Sequence, residues 1–117
     1  MNWQFLFATF DARIGRQTFW IGTIVLWVVS LIVHGLIAVL FGYDTQAGTG
    51  LSGVVVLVML YPSIAVGVKR LHDRDKSGWW LLLLIVPVIG IIWYIVEAGC
   101  LRGTVGQNRF GPDPLAA

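Results

Sequence analysis

Three long apolar runs dominate this chain of 117 residues. Phe19 to Phe41 is 23 residues without a formal charge, Leu51 to Val68 is 18, and Gly78 to Val96 is 19. Each run approaches the roughly 20 residues that a helix needs to cross a hydrocarbon core of about 30 Å. Only 12% of the residues are charged, too few to cover the surface of a soluble domain. The sequence therefore predicts an all-α integral membrane protein with three hydrophobic helical segments.

Other membrane and ligand classes fit the sequence poorly. The runs lack the alternation of apolar and polar residues that a membrane β-barrel requires. The first run is too long for a signal-peptide core and no Ala-x-Ala-like site follows it, so we expect it to be retained as an anchor. The single cysteine, Cys100, rules out an intrachain disulfide or a cysteine metal site. We expect no metal, no cofactor and no nucleic-acid partner.

The chain divides into six segments of one membrane domain. Trp3, Leu6, Phe7 and Phe10 recur at the spacing of one helical face, which is typical of a helix in the membrane interface. The predicted segments are an interfacial helix at about 2–11, spans at 19–41 and 51–68, a charged cytoplasmic loop at 69–77, a third span at 78–97, and a polar Gly-rich tail at 98–117.

The third run leaves two topologies open, because Pro87 and Gly90 lie at its middle. A proline inside a helix removes a backbone hydrogen bond and bends the helix. The length of the run favours a full span that is kinked there. The alternative is a re-entrant hairpin turning at Pro87–Gly90, which would place all eight basic residues on one side. Such non-helical backbone needs surrounding protein at that depth.

Basic residues beside the runs indicate the orientation, because cytoplasmic loops retain Lys and Arg. The four stretches outside the runs carry two, none, four and two basic residues in chain order. This count predicts a multi-pass protein whose N-terminus and 69–77 loop are cytoplasmic.

The loop is unusual because residues 69–76 hold six of the fourteen charged residues of the chain. Its basic residues either set the orientation of the chain in the membrane, or they bind anionic lipid headgroups or a protein partner. His72 beside Asp73 also suggests an interfacial enzyme in which the carboxylate orients the imidazole, although adjacent residues of a helix do not face each other. Ser77 is a candidate N-cap for the third helix. His34, an ionisable residue within the first run, suggests an oligomeric small transporter or channel instead.

Four motifs resemble one known family. They are "ARIGRQTFW" before the first run, "KRLHDRDKSGWWLLL" between the second and third, "PVIG" within the third, and "GTVGQNRFGPDP" near the end. In this order they resemble the DUF805 family of small bacterial inner-membrane proteins, with Lys69 and Phe110 where the family pattern has Arg and Tyr. The resemblance implies location in the bacterial inner (cytoplasmic) membrane. It implies no mechanism, because the biochemical function of the family is unknown.

We therefore expect a non-enzymatic membrane component or interaction module, acting as a homo-oligomer or with a partner membrane protein. Charged groups near a membrane are least costly when they satisfy one another, so we hypothesise that the tail at Asn108–Arg109 and Asp113 docks onto residues 69–76. The predicted binding and interface residues are Arg13, Arg16, Lys69, Arg70, His72, Asp73, Arg74, Lys76, Asn108 and Arg109.

Overall fold

The computed structural model describes residues 2–115 and is helical apart from its connections and its tail. These residues contain no β-strand, and Asn108 and Gly111 form an isolated bridge. The elements in chain order are α1 Trp3–Ala8, α2 Arg16–Phe41, α3 Gln46–Asp73, a 3₁₀-helix Gly78–Ile85, α4 Ile89–Tyr94, and a π-helix Ile95–Cys100.

The frame of the molecule is the antiparallel pair of α2 and α3, with 26 and 28 residues. Both helices are long and apolar enough to cross a membrane. The most apolar 18-residue stretch of α2 has none of its residues buried, and that of α3 has only 17%. A core helix of a soluble protein would bury most of such a stretch. The apolar surface of this pair is therefore available to lipid or to other helices.

A four-residue connection at 42–45 joins the two helices, and it is shorter than the interval of residues 42–50 left between the two predicted spans. Gly42 has φ 84°, a left-handed conformation that favours glycine. Thr45 caps α3, because its hydroxyl accepts a hydrogen bond from the Gly48 amide at 3.0 Å. This cap starts α3 at Gln46, well before the predicted boundary at residue 51.

The charged loop predicted at 69–77 is mostly helix. α3 continues to Asp73, and only residues 74–77 connect it to the next element. The Lys76 amide donates to the Leu71 carbonyl at 2.9 Å, which ends the helix. A charged stretch continues as a buried helix here because its side chains find partners on three other segments, which local sequence cannot reveal.

The third apolar run is not one kinked helix, so the expectation of a continuous span over 78–97 is wrong. Its first end lies beside α3, where a Cβ on Gly78 would be 2.8 Å from Val68 Cγ2. Its last turn returns to the same level, because Arg70 Nε donates to the Ala98 carbonyl at 2.6 Å. Both ends therefore lie at one end of the α2–α3 pair. Residues 78–100 therefore reverse direction, as the hairpin alternative requires, and we refer to them as the hairpin.

Proline and glycine make the hairpin turn possible. Pro87 has no amide hydrogen to continue the 3₁₀-helix, so the helix ends before it. Gly90 lets the returning arm approach the first arm closely, since a Cβ on Gly90 would be 2.0 Å from the Leu83 carbonyl oxygen. Ser77 caps the first arm by accepting from the Trp79 amide at 3.2 Å, as predicted for this position.

The apolar core lies where α1 crosses the helix pair. A Cβ on Gly22 would be 3.1 Å from Leu6 Cδ2, so the glycine lets α1 approach α2 closely. The predicted helix at 2–11 is shorter, and of its predicted face only Leu6 is fully buried while Phe10 lies beyond the helix end. The buried core residues are Leu6, Ile14, Phe19, Val66 and Ala98.

Candidate functional site

Buried polar and charged side chains gather around the last turn of α3. We refer to this set as the charged cluster, and its members are Arg13, Lys69, Arg70, His72, Asp73 and Glu97. Four of them belong to α3, one precedes α2, and one lies on the π-helix. Burying an ionised group without partners is costly. The partners of each group therefore decide what the cluster can do.

Asp73 lies at the centre of the cluster and binds two arginines through separate oxygens. Arg13 Nη2 lies 2.9 Å from Oδ1, and Arg70 Nη1 lies 2.5 Å from Oδ2. Gly103 packs against the same carboxylate, because a Cβ there would be 1.8 Å from Oδ2. Both oxygens are engaged inside the protein, so Asp73 serves as the anion that holds two cations together.

Arg13 attaches the tail to the end of α3. Its guanidinium donates to Asp73 and to three carbonyls of the tail, those of Thr104, Gly106 and Gly111. Next to it, Asn108 Nδ2 donates to the His72 carbonyl at 2.9 Å. The structure thus places the tail on the end of α3, as hypothesised for Asn108 and Arg109. Asp113 does not take part, because its carboxylate accepts from the Gly106 and Leu115 amides within the tail.

Side chains also close the carbonyl end of the π-helix. Arg70 donates to the carbonyls of Ala98 and Leu101, Trp20 Nε1 donates to that of Gly99 at 2.8 Å, and Arg16 donates to that of Cys100 at 3.0 Å. The last carbonyls of a helix lack intrahelical partners and carry partial negative charge. Cations and an indole therefore fix the end of the hairpin to α2 and α3.

Lys69 does the same for the N-terminal helix. Its ammonium donates to the carbonyls of Phe5, Leu6 and Thr9, which form the C-terminal turn of α1. The Phe5 ring also lies 4.8 Å from the ammonium, at cation–π distance. A buried lysine thereby satisfies the end of α1 and holds the helix against the pair.

His72 and Asp73 do not form the acid/base pair that the sequence left open. His72 Nδ1 lies 2.9 Å from the Ala12 carbonyl, so this nitrogen carries the proton and donates. The imidazole stacks on Phe110 with ring centroids 3.9 Å apart and planes at 4°. Asp73 points to Arg13 and Arg70 instead. The two side chains face different partners, as expected for neighbours in a helix.

Glu97 is the second buried anion. Its Oε1 lies 2.9 Å from Arg74 Nε and 2.9 Å from Lys76 Nζ. Burial acts to raise the pKa of this carboxyl, but the hydrogen bonds from Lys76 and Arg74 outweigh it and hold the pKa below its ordinary value. The ionised form of Glu97 is thus favoured, and it ties the short connection after α3 to the hairpin.

The predicted site residues therefore fall into two groups. Arg13, Lys69, Arg70, His72 and Asp73 come together inside the cluster, with Asn108 against them. The others form its rim: Arg16, Arg74, Lys76 and Arg109. At the rim Arg109 Nε pairs with Asp75 Oδ1 at 3.1 Å, and both groups are exposed.

Sequence reasoning missed several contributors. Glu97 is the acid that ends the third apolar run, and an ionisable residue at such a place is a signal that could have found it. Trp20 lies near the start of the first apolar run, and Phe110 was noted only as a departure from the family pattern. In the structure Trp20 donates to the Gly99 carbonyl, and Phe110 stacks on His72 of the cluster. Nothing in the local sequence marks the carbonyl groups that the arginines bind.

Two features lie away from the cluster. His34 is half-buried on α2, and its Nδ1 lies 2.8 Å from the Ser30 carbonyl one turn earlier. An apolar groove of about 660 Å³ runs between α3 and the hairpin, bounded by Leu60, Leu81 and Tyr94 among others. Within residues 2–115, no three His, Cys, Asp or Glu side chains are placed to hold a metal ion.

Comparison with known proteins identifies relatives over nearly the whole chain. A family model described as a protein of unknown function, DUF805, matches residues 7–112. The chain is 37% identical over 107 residues to the inner membrane protein YhaH of Escherichia coli (strain K12), covering 90% of this chain and 86% of that protein. It is 36% identical over 105 residues to the inner membrane protein YhaI of the same strain, covering 90% and 85%.

A third relative is the uncharacterized protein YiiR of Escherichia coli (strain K12), 32% identical over 134 residues and covering 94% of this chain and 88% of that protein. No solved structure matches the chain. The family match agrees with the resemblance noted in the motifs, and the names of YhaH and YhaI assign a membrane but no reaction.

Proposed function

The chain belongs to the DUF805 family, and from that premise we propose that it is a non-enzymatic component of the bacterial inner membrane. Its charged cluster fastens a re-entrant hairpin, α1 and the tail to two membrane-spanning helices. One observation carries the proposal: among the described residues, every buried side-chain nitrogen and oxygen has a hydrogen-bond partner. An enzyme keeps a reactive group available to its substrate. Polar groups that all bind one another or the backbone hold segments of the chain together.

The distribution of charge supports a two-span topology with the cluster in the cytoplasm. All eight Lys and Arg residues lie at the cluster end of the helix pair, because the hairpin returns the tail to that end. The connection at the other end carries Asp44 and no basic residue. Cytoplasmic segments of inner-membrane proteins retain Lys and Arg. The N-terminal segment, residues 74–77 and the tail are therefore cytoplasmic.

The native cysteine tests this topology, because Cys100 is exposed at the end of the hairpin. In intact spheroplasts, a membrane-impermeant thiol reagent should leave Cys100 unlabelled, and labelling should appear once the membrane is permeabilised. In a Cys100→Ser background, Asp44→Cys at the opposite end should label without permeabilisation. Labelling of Cys100 in intact spheroplasts would contradict the two-span topology.

The exposed cations around the cluster bind the headgroups of anionic lipids. Arg102 and Arg109 are exposed. The contact of Arg102 with this region is made by its backbone carbonyl, which accepts from Arg74. Trp79 and Trp80 are exposed at the same end, where aromatic residues mark the membrane interface. Each basic residue near an anionic surface contributes about 1 kcal/mol to attraction.

We expect phosphatidylglycerol to raise the thermal midpoint of the detergent-purified protein more than phosphatidylcholine does. The difference should shrink as salt is added, because ions screen exposed charges. The double variant Arg102→Gln, Arg109→Gln should lose most of it, whereas the matched variant Asp44→Asn should keep it. Equal stabilisation by the two lipids, or a difference that salt leaves unchanged, would rule out headgroup binding.

A further inference from the structure

The turn of the hairpin leaves backbone groups without partners. Pro87 has no amide hydrogen, and within residues 2–115 the Val88 amide donates to no acceptor. The Ile89 amide donates to the Pro87 carbonyl at 2.7 Å. The carbonyls of Leu84 and Ile85 therefore lack the amide donors, three or four residues ahead in the chain, that would continue the helix. The turn presents one free N–H and two carbonyls without their helical donors.

The same turn holds a strained residue. Val88 has φ 64° and ψ −60°, a γ-turn conformation that is rare for any residue and worse for a β-branched one. Such backbone costs about 1–3 kcal/mol and persists only where surrounding structure enforces it. In a single chain little surrounds Val88, because the residue is 66% exposed.

Depth makes this exposure costly, given the proposed two-span topology on which this inference rests. The 3₁₀-helix has eight residues and rises about 16 Å, half of a hydrocarbon core of about 30 Å. The turn therefore lies near the middle of the bilayer, where no water is available. Lipid-exposed irregular backbone does not occur at that depth unless protein covers it. The turn is incomplete in the monomer.

A matching polar group lies on α2 at the same depth. Ser30 O can only accept and lies 2.8 Å from His34 Nδ1, so Nδ1 carries a proton, and in that tautomer Nε2 is the acceptor. Within residues 2–115 no group binds that Nε2. His34 Nε2 is therefore an acceptor of the kind that the unpaired Val88 amide needs.

Contacts between the helices set the depth of this acceptor. Gly22 lies opposite Val66, and Gly78 lies beside Val68. The 3₁₀-helix rises about 14 Å from Gly78 to Ile85, the length of about nine residues of α3, so Ile85 lies near the level of Leu60. Leu60 is six residues from Val66, so residue 28 of α2 lies near the level of Ile85. The imidazole of His34 points back towards Ser30, about two residues beyond that level.

We propose that two copies of the chain pair in the membrane so that each covers the turn of the other. The α2 face of Trp27, Leu31 and His34 in one copy lies against the turn of its partner copy. His34 Nε2 accepts the free Val88 amide across the interface. The arrangement is reciprocal, as a two-fold dimer requires, because each chain supplies one turn and one acceptor. A second copy is the occupant because acceptor and turn occur on the same chain at matching depth.

Cysteine cross-linking between differently tagged copies tests the pairing. In a Cys100→Ser background, Leu31→Cys in one copy and Ile89→Cys in the other should give a mixed-tag product with a short, membrane-permeant cross-linker that carries two thiol-alkylating groups. Both positions are exposed in the monomer. The matched control replaces Leu31→Cys with Val39→Cys, equally exposed but about 12 Å further along α2, and should give none.

The acceptor is tested in the same assay. His34→Leu should reduce the 31/89 product about threefold, the effect of one interhelical hydrogen bond in a membrane. His34→Gln keeps an acceptor and should retain more product. Abundance should stay normal in both variants because His34 lies outside the cluster.

Absence of the 31/89 product would overturn the pairing, and the topology would stand if Cys100 of the unsubstituted protein is still protected in intact spheroplasts. Cross-linking of Ile89→Cys only to a different protein would also overturn it, assigning the turn to another membrane partner. Labelling of Cys100 in intact spheroplasts would remove the topology and the pairing together.

Discussion

Asp73→Asn is expected to lower the free energy of unfolding by about 3–5 kcal/mol, the effect of breaking a buried ion pair by removing one partner. The substitution leaves Arg13 and Arg70 buried beside a neutral amide. These arginines hold the tail and the end of the hairpin, so both segments should loosen together. The measurement is abundance in membranes, together with the thermal midpoint of the purified protein.

Asp75→Asn is the matched control, two residues along the chain. Asp75 pairs with Arg109, and their side chains are 48% and 63% exposed. An exposed pair contributes at most about 1 kcal/mol, so this variant should remain close to the unchanged protein. A catalytic Asp73 would give the reverse of the main prediction, namely normal abundance and midpoint. That result would return the interfacial enzyme to consideration and overturn the structural role of the cluster.

Gly90→Ala is expected to open the hairpin. The added Cβ would lie 2.0 Å from the Leu83 carbonyl oxygen and 2.9 Å from Leu84 Cα, and both are backbone atoms that no rotamer change can move. The two arms must separate, which should cost about 1–3 kcal/mol or more. Reduced abundance in membranes and a lower thermal midpoint measure this effect.

Gly53→Ala supplies the comparison, because a Cβ at this position would have no atom within 4 Å apart from the neighbouring backbone of its own helix. Alanine favours a helix over glycine by about 0.5–1 kcal/mol, so this variant should be unchanged or slightly more stable. If residues 78–97 formed one kinked span, Gly90→Ala would behave in the same way. Similar results for the two alanine variants would therefore argue against the hairpin.

The charged stretch shows where sequence reasoning stopped. The segment from Lys69 to Lys76 stands out in the sequence by its charge, and it contains Lys69, Arg70 and Asp73. Their burial could not be predicted, because the partners of these side chains are backbone carbonyls of α1, the hairpin and the tail. Backbone carbonyls are the same in every residue, so no sequence pattern marks which of them will meet a cation.

The hairpin shows a different limit. Pro87 and Gly90 mark the point of the break, but a proline permits either a kinked span or a reversal. The choice depends on whether the two ends of the run have binding partners on one side. Here Arg70 and Trp20 bind the returning end, and Val68 packs on the first end. Those contacts join residues far apart in the chain.

The sequence by itself determined that this chain is helical and apolar enough for a membrane, where its charges concentrate, and to which family it belongs. These properties depend on length, composition and local motifs. The tertiary structure alone decided that the charged stretch is buried, that the third run reverses, and that His72 and Asp73 serve different partners. The reason is that the energy of a buried charge depends on the groups that folding brings next to it. Those groups lie far away in the chain, and nothing in their sequence positions shows that they will meet the charge.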